Sequence, residues 1–309
     1  MKKFVIIPDS TSDLTLELRN RFDIPEMVQG TVAFPDGRSF FSTGDWDEIS
    51  SKEFYDLLKK KPISTGAPSP EQFMKVFEKY LKQGLDVLSI SISSALSGTY
   101  SFAVAAANEL NKKYPNNKVL CLDSKRYSTA ELLLVIHASK LQEEGKNIDE
   151  TFEELDKLKN CLHQAGPMDD LMFLASRKRI SNGKAFMGTL VGVNPIGEVS
   201  RDGLTKVICK VKGSKKALLT CLEYIKRTII DPENQIIVIA HSNREEKALL
   251  YKEMIEKEIK PKEIIFTEVG PSCAPNIGPG LCAAYYYGKE LSENLDVEQQ
   301  IFNEIIGKK

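Results

Sequence analysis

Short, unbroken apolar runs alternate with amphipathic stretches through the first half of the chain. Phe4–Ile7 is one such run, closed by the polar segment Pro8-Asp9-Ser10-Thr11-Ser12-Asp13. A continuous run of that length between turn residues predicts a strand buried on both faces. Val87–Ile92, with Ser89 and Ser91 among its apolar residues, and Lys118–Leu122, apolar after its lysine, are also expected strands, and Val32–Phe34 looks like another, followed by the turn Pro35-Asp36-Gly37. Between these runs the spacing predicts helices near Leu14–Phe22, over Ser51–Lys61, from Ser69 to Gln83, over Tyr100–Lys113, and from Ser124 to Glu144. Ser69-Pro70-Glu71-Gln72 opens the third of them: Ser69 caps, Pro70 fits the first turn, and Gln72 stands at capping-box spacing. Strand, loop and helix in repeated order predict an α/β domain, a parallel sheet with helices on both faces.

The second half reads differently. A helix over Asp149–Leu162 works as a connector. Leu171–Leu174, Lys206–Lys212, Gln235–Ala240 and Glu263–Val269 are expected strands, and Ser214–Arg227 and Asn243–Lys257 expected helices. Irregular, glycine-containing segments separate the first two of those strands. Gly278-Pro279-Gly280 precedes a short apolar segment through Tyr287. The expected organisation is two α/β domains, 1–160 and 161–309, the first around a parallel three-layer sheet and the second around a mixed one. A length of 309 residues suits two cores.

Composition narrows the function classes. The formal net charge is -1 and no stripe of Lys and Arg with interleaved aromatics occurs, which argues against nucleic acid as a partner. Six cysteines include no CxxC pair, and none stands at zinc-ligand spacing from a histidine. They read as reduced structural thiols of a cytoplasmic protein. The start MKKFVIIPDS has too short an apolar run for a signal segment, and no stretch approaches a membrane span.

In an open parallel sheet, ligands sit beyond the carboxyl ends of the strands. The polar segments expected there are Asp9–Asp13, Ser93–Thr99 and Asp123-Ser124, with Thr65–Ser69 close enough in kind to join them. Ser93-Ser94-Ala95-Leu96-Ser97-Gly98-Thr99 offers four hydroxyls and a glycine ahead of a helix. Hydroxyls beside unpaired helix N–H groups suit an anion such as a carboxylate. Simple capping of the following helix accounts for those residues equally well. Thr65 lies outside its neighbouring helix and is less easily explained as a cap. Asp9–Asp13 reads as a turn with an N-cap rather than a metal site. Neither GxxxxGK[ST] nor GxGxxG nor GxSxG occurs at the required places. Of three histidines, His137 sits in an apolar helix, His163 near an expected helix C-terminus, and only His241, ending a strand, is placed like a site residue. No cofactor or metal is expected, and few parts for catalysis are in view.

Taken together, the motifs resemble the DegV family of bacterial fatty-acid-binding proteins. The matching residues are Asp9-Ser10-Thr11-Ser12-Asp13-Leu14, Ser64-Thr65-Gly66-Ala67-Pro68-Ser69, and Ile92-Ser93-Ser94-Ala95-Leu96-Ser97-Gly98-Thr99-Tyr100. Asp123-Ser124, Arg179-Ile180-Ser181 and Gly278-Pro279-Gly280 follow in family order. The resemblance implies two α/β domains and a single long-chain fatty acid in an apolar tunnel, palmitate-like, of roughly 14 to 18 carbons, held largely by burial of its methylenes. By position it implies that Thr65 and Ser93 bind the carboxylate with a backbone contribution near Ser94. Asn276, Gly278 and Arg179 would form a secondary head-group site. It further implies a lipid carrier rather than an enzyme, presenting its ligand to a separate ATP-dependent fatty acid kinase. The chain departs from the family pattern at Asn276, where histidine is frequent. It departs also at Arg177 and Lys178 in place of paired glycines, at Asn194 before Pro195, and at Gly66 in place of serine. Two other readings of the same residues stay open. One is a serine-dependent acyl hydrolase or transferase using Ser93 or Ser97 with His241. The other is the small-substrate-binding subunit of a dihydroxyacetone-kinase-like system.

Overall fold

In the computed structural model, the described residues are 3–169, 173, 176, 177, 180 and 192–307. The chain divides into two compact units, Met1–Lys159 with Gly270–Pro275, and Asn160–Val269 with Asn276–Lys309.

The first unit is built on β1 (Phe4–Pro8), β5 (Asp86–Ser91) and β6 (Val119–Asp123), parallel and in the order β1-β5-β6. Every residue of β1 is buried, as its unbroken apolar run requires. Val5, Ile7, Val87 and Val119 pack against Phe73, Phe77 and Leu81 of α3 (Pro70–Leu81) and Ala103, Ala106 and Leu110 of α4 (Thr99–Lys113). Strand alternation sends Phe4, Ile6, Leu88 and Ile90 to the other face, where α5 (Thr129–Glu143) and α6 (Ile148–Leu158) pack. The α3 start is the capping box read from the sequence, Ser69 and Gln72 bonding reciprocally.

A second sheet in this unit was not legible as such. β2 (Thr31–Ala33) pairs antiparallel with both β3 (Ser39–Phe41) and β4 (Ser64–Gly66). The helices α1 (Leu16–Arg21) and α2 (Ser51–Leu58) complete the unit, and each begins on a side-chain cap, Thr15 and Ser50.

The second unit holds a mixed sheet in the order β11-β10-β12-β7, made of β7 (Leu162–Ala165), β10 (Ile236–His241), β11 (Glu263–Glu268) and β12 (Cys282–Tyr287). β10 and β11 are parallel, whereas β12 runs antiparallel to β10 and β7. A two-stranded ribbon, β8 (Val193–Val199) with β9 (Thr205–Lys212), carries a register shift at Ile196/Gly197. Three helices, α7 (Ser214–Thr228), α8 (Glu245–Glu258) and α9 (Asp296–Ile305), contribute Ala217, Cys221, Ile225, Tyr251, Ile255 and Phe302 to its core.

Four expectations are corrected here. The connector helix stops at Leu158, and Leu162–Ala165 is a strand because it pairs with β12. His163 therefore stands inside a buried strand, not at a helix end. The segment Val193–Val199 is a strand rather than irregular, its Pro195 carbonyl accepting the Met168 N–H at 2.9 Å. Of the expected strand Leu171–Leu174, residues 171, 172 and 174 lie outside the described residues, and Phe173 is helical, its carbonyl accepting the Arg177 N–H at 3.2 Å. All six cysteines are free thiols. Among the described residues, no helix is long and apolar enough to cross a membrane.

Candidate functional site

The strands of the parallel sheet end in the polar loops that the sequence marks. β1 runs into Asp9 and one turn of 3₁₀ helix, Ser10–Ser12. Asp9 caps this turn, its Oδ1 accepting the Thr11 N–H at 2.8 Å. Its Oδ2 accepts the N–H of Ile92 at 3.0 Å, at the end of β5. Ser10 Oγ accepts the Gly30 N–H at 3.0 Å. Gly30 in turn lies so close to β4 that a Cβ on it would stand 2.6 Å from the Gly66 carbonyl oxygen. Continuous contact thus links the Ser93 loop, the Asp9-Ser10 turn and the Thr65 strand within one unit.

Ser93 is buried, with 0% exposure. Its N–H donates to the Arg126 carbonyl at 2.8 Å. Its carbonyl accepts the N–H groups of Leu96 and Ser97 at 3.0 and 3.2 Å, and its Oγ accepts the Ala95 N–H at 3.3 Å. The hydroxyl proton of Ser93 has no acceptor among the described residues. Capping of α4 falls instead to Ser97, whose Oγ accepts the Thr99 N–H at 3.3 Å, while Gly98 at the cap position has no side chain to offer. An acyl-transfer reading would need a base beside one of these hydroxyls. Among the described residues, Ser93 Oγ has only the Ala95 N–H and Ser97 Oγ only Thr99.

Ser94 is exposed and engaged at both ends. Its N–H donates to Asp123 Oδ1 at 3.1 Å, and its Oγ accepts Lys125 Nζ at 3.0 Å. Lys125 also pairs with Asp123 Oδ2 at 2.8 Å. Burial opposes ionisation of Asp123, but the bonds from Lys125 and Ser94 outweigh it and hold the carboxyl below its ordinary range. Thr65 is exposed on β4, where it stands opposite Val32. At Gly66, a Cβ would stand 2.6 Å from Thr31 Oγ1. A serine there would require Thr31 to turn away, so this departure from the family pattern has a local steric partner.

The sequence marks Asp9 and Asp13 as turn residues but not the acid that joins them, Glu131. Asp9, Asp13 and Glu131 of α5 are each at 0% exposure. The Thr11 hydroxyl contacts Asp9 Oδ1 and Glu131 Oε2, the latter at 2.9 Å. Asp13 Oδ1 accepts the Gly270 N–H at 3.0 Å, and its Oδ2 accepts the Ser128 hydroxyl. Burial pushes the Asp13 carboxyl up to about 7 against these bonds. Ser272 Oγ lies 2.9 Å from Ser10 Oγ, and the Cys273 thiol donates to the Thr11 carbonyl at 3.3 Å. The available signal was an acid inside the apolar helical run Ala130–Ile136. Among the described residues, no group of His, Cys, Asp and Glu could hold a metal ion.

In the second unit, Gly278 has a φ of +75°, and a Cβ there would meet the Phe173 ring at 2.3 Å, so the position needs glycine on both counts. Gly280 donates its N–H to the Ser242 carbonyl at 2.8 Å. Asn276 is half-buried, and Arg179 lies outside the described residues. The three histidines differ in their surroundings. His163 stacks on Tyr286 and contacts Tyr224 Oη, Glu198 Oε2 and the Lys289 carbonyl at 3.0, 3.3 and 2.7 Å. His137 faces Glu154 at 3.5 Å, and His241 stands 3.9 Å from Glu268.

Comparison with known proteins identifies the family. A DegV domain-containing protein of Clostridium perfringens is 33% identical over 93% of this chain and 98% of its own length. Among solved structures, a DegV family protein from Thermus thermophilus, described for its fatty acid binding, superposes with a TM-score of 0.83 at 27% identity, covering 93% of this chain and 99% of that one. A DegV lipid-binding protein from Thermotoga maritima gives a TM-score of 0.80 at 25% identity, over 94% and 99% of the two chains. The family model described as uncharacterised protein, DegV family, matches residues 3–289. With its sheet order, its polar loops and its relatives in agreement, the chain belongs to the DegV family.

Proposed function

We propose that this protein binds one long-chain fatty acid and holds its carboxylate with the hydroxyls of Thr65 and Ser93. The observation that carries the head-group assignment is the Ser93 hydroxyl. It is fully buried, it accepts one N–H, and its own proton is left to donate. A buried donor without an acceptor costs about 1–3 kcal/mol, and an anionic oxygen placed there removes that cost. The DegV proteins of Thermus thermophilus and Thermotoga maritima, described as binding fatty acid and lipid, support the ligand class. Ser94 has its N–H and hydroxyl in the Asp123–Lys125 cluster, so its part is to fix the loop's shape.

Affinity in this reading comes from the alkyl chain, at roughly 0.8 kcal/mol for each buried methylene, and orientation from the hydroxyls. The protein is a carrier and performs no chemistry on its ligand. A separate fatty acid kinase is the expected consumer of the presented carboxylate, in the cytoplasm, with Asn276, Gly278 and Arg179 as a secondary head-group site. Mass spectrometry of organic extracts from the purified protein tests the reading. One saturated or unsaturated long-chain acid per chain is expected, and extracts without any fatty acid, from protein that also fails to take one up, overturn it.

A further inference from the structure

The buried acids beneath the Ser93 loop can be counted proton by proton. The Thr11 hydroxyl lies within bonding distance of two carboxyl oxygens, Asp9 Oδ1 and Glu131 Oε2. It has one proton and can donate to only one of them. With both carboxyls ionised, the other contact would set two lone-pair-bearing oxygens against each other in a buried site. One carboxyl therefore holds a proton. Burial raises both carboxyls, but Asp9 accepts two backbone N–H groups, from Thr11 and Ile92, which offset part of that and favour its ionised form over that of Glu131. Glu131 accepts no N–H, and its Oε1 has no hydrogen-bond partner among the described residues.

We propose that Glu131 carries the proton, donating it to Thr11 Oγ1, and that Asp9 is thereby kept ionised as the positioning residue that fixes the backbone entering Ser93. The proton path is Glu131 to Thr11 to Asp9. Asp9 then holds the Ile92 N–H, one residue before the hydroxyl assigned to the fatty-acid carboxylate. The titratable groups that face Glu131 are Asp9 and Asp13 from the β1 loop, Asp123 from β6, and Cys273 from the 270–275 segment. Burial, and then the Asp9 charge, push the Glu131 carboxyl well above the ordinary range. The functional half of this inference rests on the fatty-acid reading; the protonation half does not.

The experiment has two arms on the full chain. Infrared spectra at pH 7.5 look for the carbonyl band of a protonated carboxylic acid, displaced by deuterium oxide. A glutamate component is expected in the wild type, the part of the band displaced again when glutamate alone is labelled with carbon-13 and distinct from any contribution of Asp13, and that component is absent in Glu131→Gln. The labelled wild type assigns the band to glutamate even where the variant fails to fold. The second arm titrates delipidated wild type and Asp9→Asn with palmitate and with the alcohol of equal chain length. Asp9→Asn is expected to lose about tenfold or more in affinity for the acid and little for the alcohol, whereas general loosening of the fold would weaken both alike. A wild type without a glutamate-derived band, or an Asp9→Asn variant that weakens both ligands equally or neither, overturns the proposal. A wild type that binds neither ligand overturns the fatty-acid reading instead, and the infrared band still decides the proton.

Discussion

Asp9 accepts the backbone N–H of Ile92 at 3.0 Å. The contact joins the loop after the first strand to the residue that precedes Ser93, 83 positions later in the chain. Neither group could find its partner from local sequence. Parallel pairing of β1 with β5, with Pro8 opposite Ile90, sets the two loops side by side. Contacts of this kind, buried and made between residues far apart in the chain, lead to four expected outcomes.

Ser93→Ala removes the buried hydroxyl whose proton is free to donate. Palmitate affinity should fall by a few-fold to about a hundredfold, the 1–3 kcal/mol scale of one unmet polar group. Fluorescence titration of delipidated protein measures it. The melting temperature should stay close to that of the wild type, since only the Ala95 N–H loses a partner.

Gly30→Ala places a methyl 2.6 Å from the Gly66 carbonyl oxygen. Backbone must move, and the strand that moves carries Thr65. Overpacking of this kind costs about 1–3 kcal/mol. Denaturant melts should show the loss, and palmitate titration should show weakened binding in the fraction that remains folded.

Asp13 supplies a pH dependence of known sign. Burial raises its carboxyl from 3.8 to about 7 in the fold. Between those limits the folded protein binds more protons than the unfolded chain, so stability falls as pH rises. This contribution is fully present below pH 3.8 and is lost as pH passes through about 7. Its slope is at most about 1.4 kcal/mol per pH unit. Asp13→Asn keeps an acceptor for the Gly270 N–H, gains a donor toward Ser128, and tolerates the φ of +53° at this position. Chemical melts from pH 4 to 8 should therefore give a flatter curve for the variant.

Glu198 organises the second unit's core. Its Oε1 accepts the N–H groups of Gln164 and Val199 at 2.8 and 2.9 Å, and its Oε2 faces His163 and Tyr224, each at 3.3 Å. Glu198→Ala takes the side-chain acceptor from the Gln164 and Val199 N–H groups in a fully buried place, while His163 and Tyr224 keep each other at 3.0 Å. A loss of about 2–6 kcal/mol is expected, 1–3 for each buried N–H left without its acceptor, read from urea unfolding of the whole chain.

The sequence made the parallel sheet legible because β1 and β6 are short apolar runs and β5 is apolar apart from Asp86, Ser89 and Ser91, each too short for a helix and followed by a polar loop. It also marked the loops that follow them. It hid β4, whose three exposed residues Ser64, Thr65 and Gly66 carry no apolar pattern and become a strand only by pairing with β2. It hid β7 because His163 and Gln164 interrupt the apolar run. The His163 ring is buried there through partners distant in sequence, Tyr224 and Lys289. Proline and glycine disguised β8 in the same way. In the candidate site, the hydroxyl residues could be named from their order along the chain. Asp9 could be named as a turn and cap residue but not as the partner of Ile92, and Gly30 and Glu131 could not be named at all, because those parts depend on which loops the sheet brings into contact. The return of residues 270–275 to the first unit, tied by the Gly270 N–H to Asp13, left no local mark either.

The central claim is that a fatty acid binds with its carboxylate on the hydroxyls of Thr65 and Ser93. Isothermal titration of delipidated wild type and the double variant Thr65→Ala, Ser93→Ala with palmitate tests it most directly. The account predicts one site per wild-type chain and an affinity about tenfold to a thousandfold weaker in the double variant. Equal affinity in the two proteins would contradict the head-group assignment, and no heat of binding in either would contradict the function.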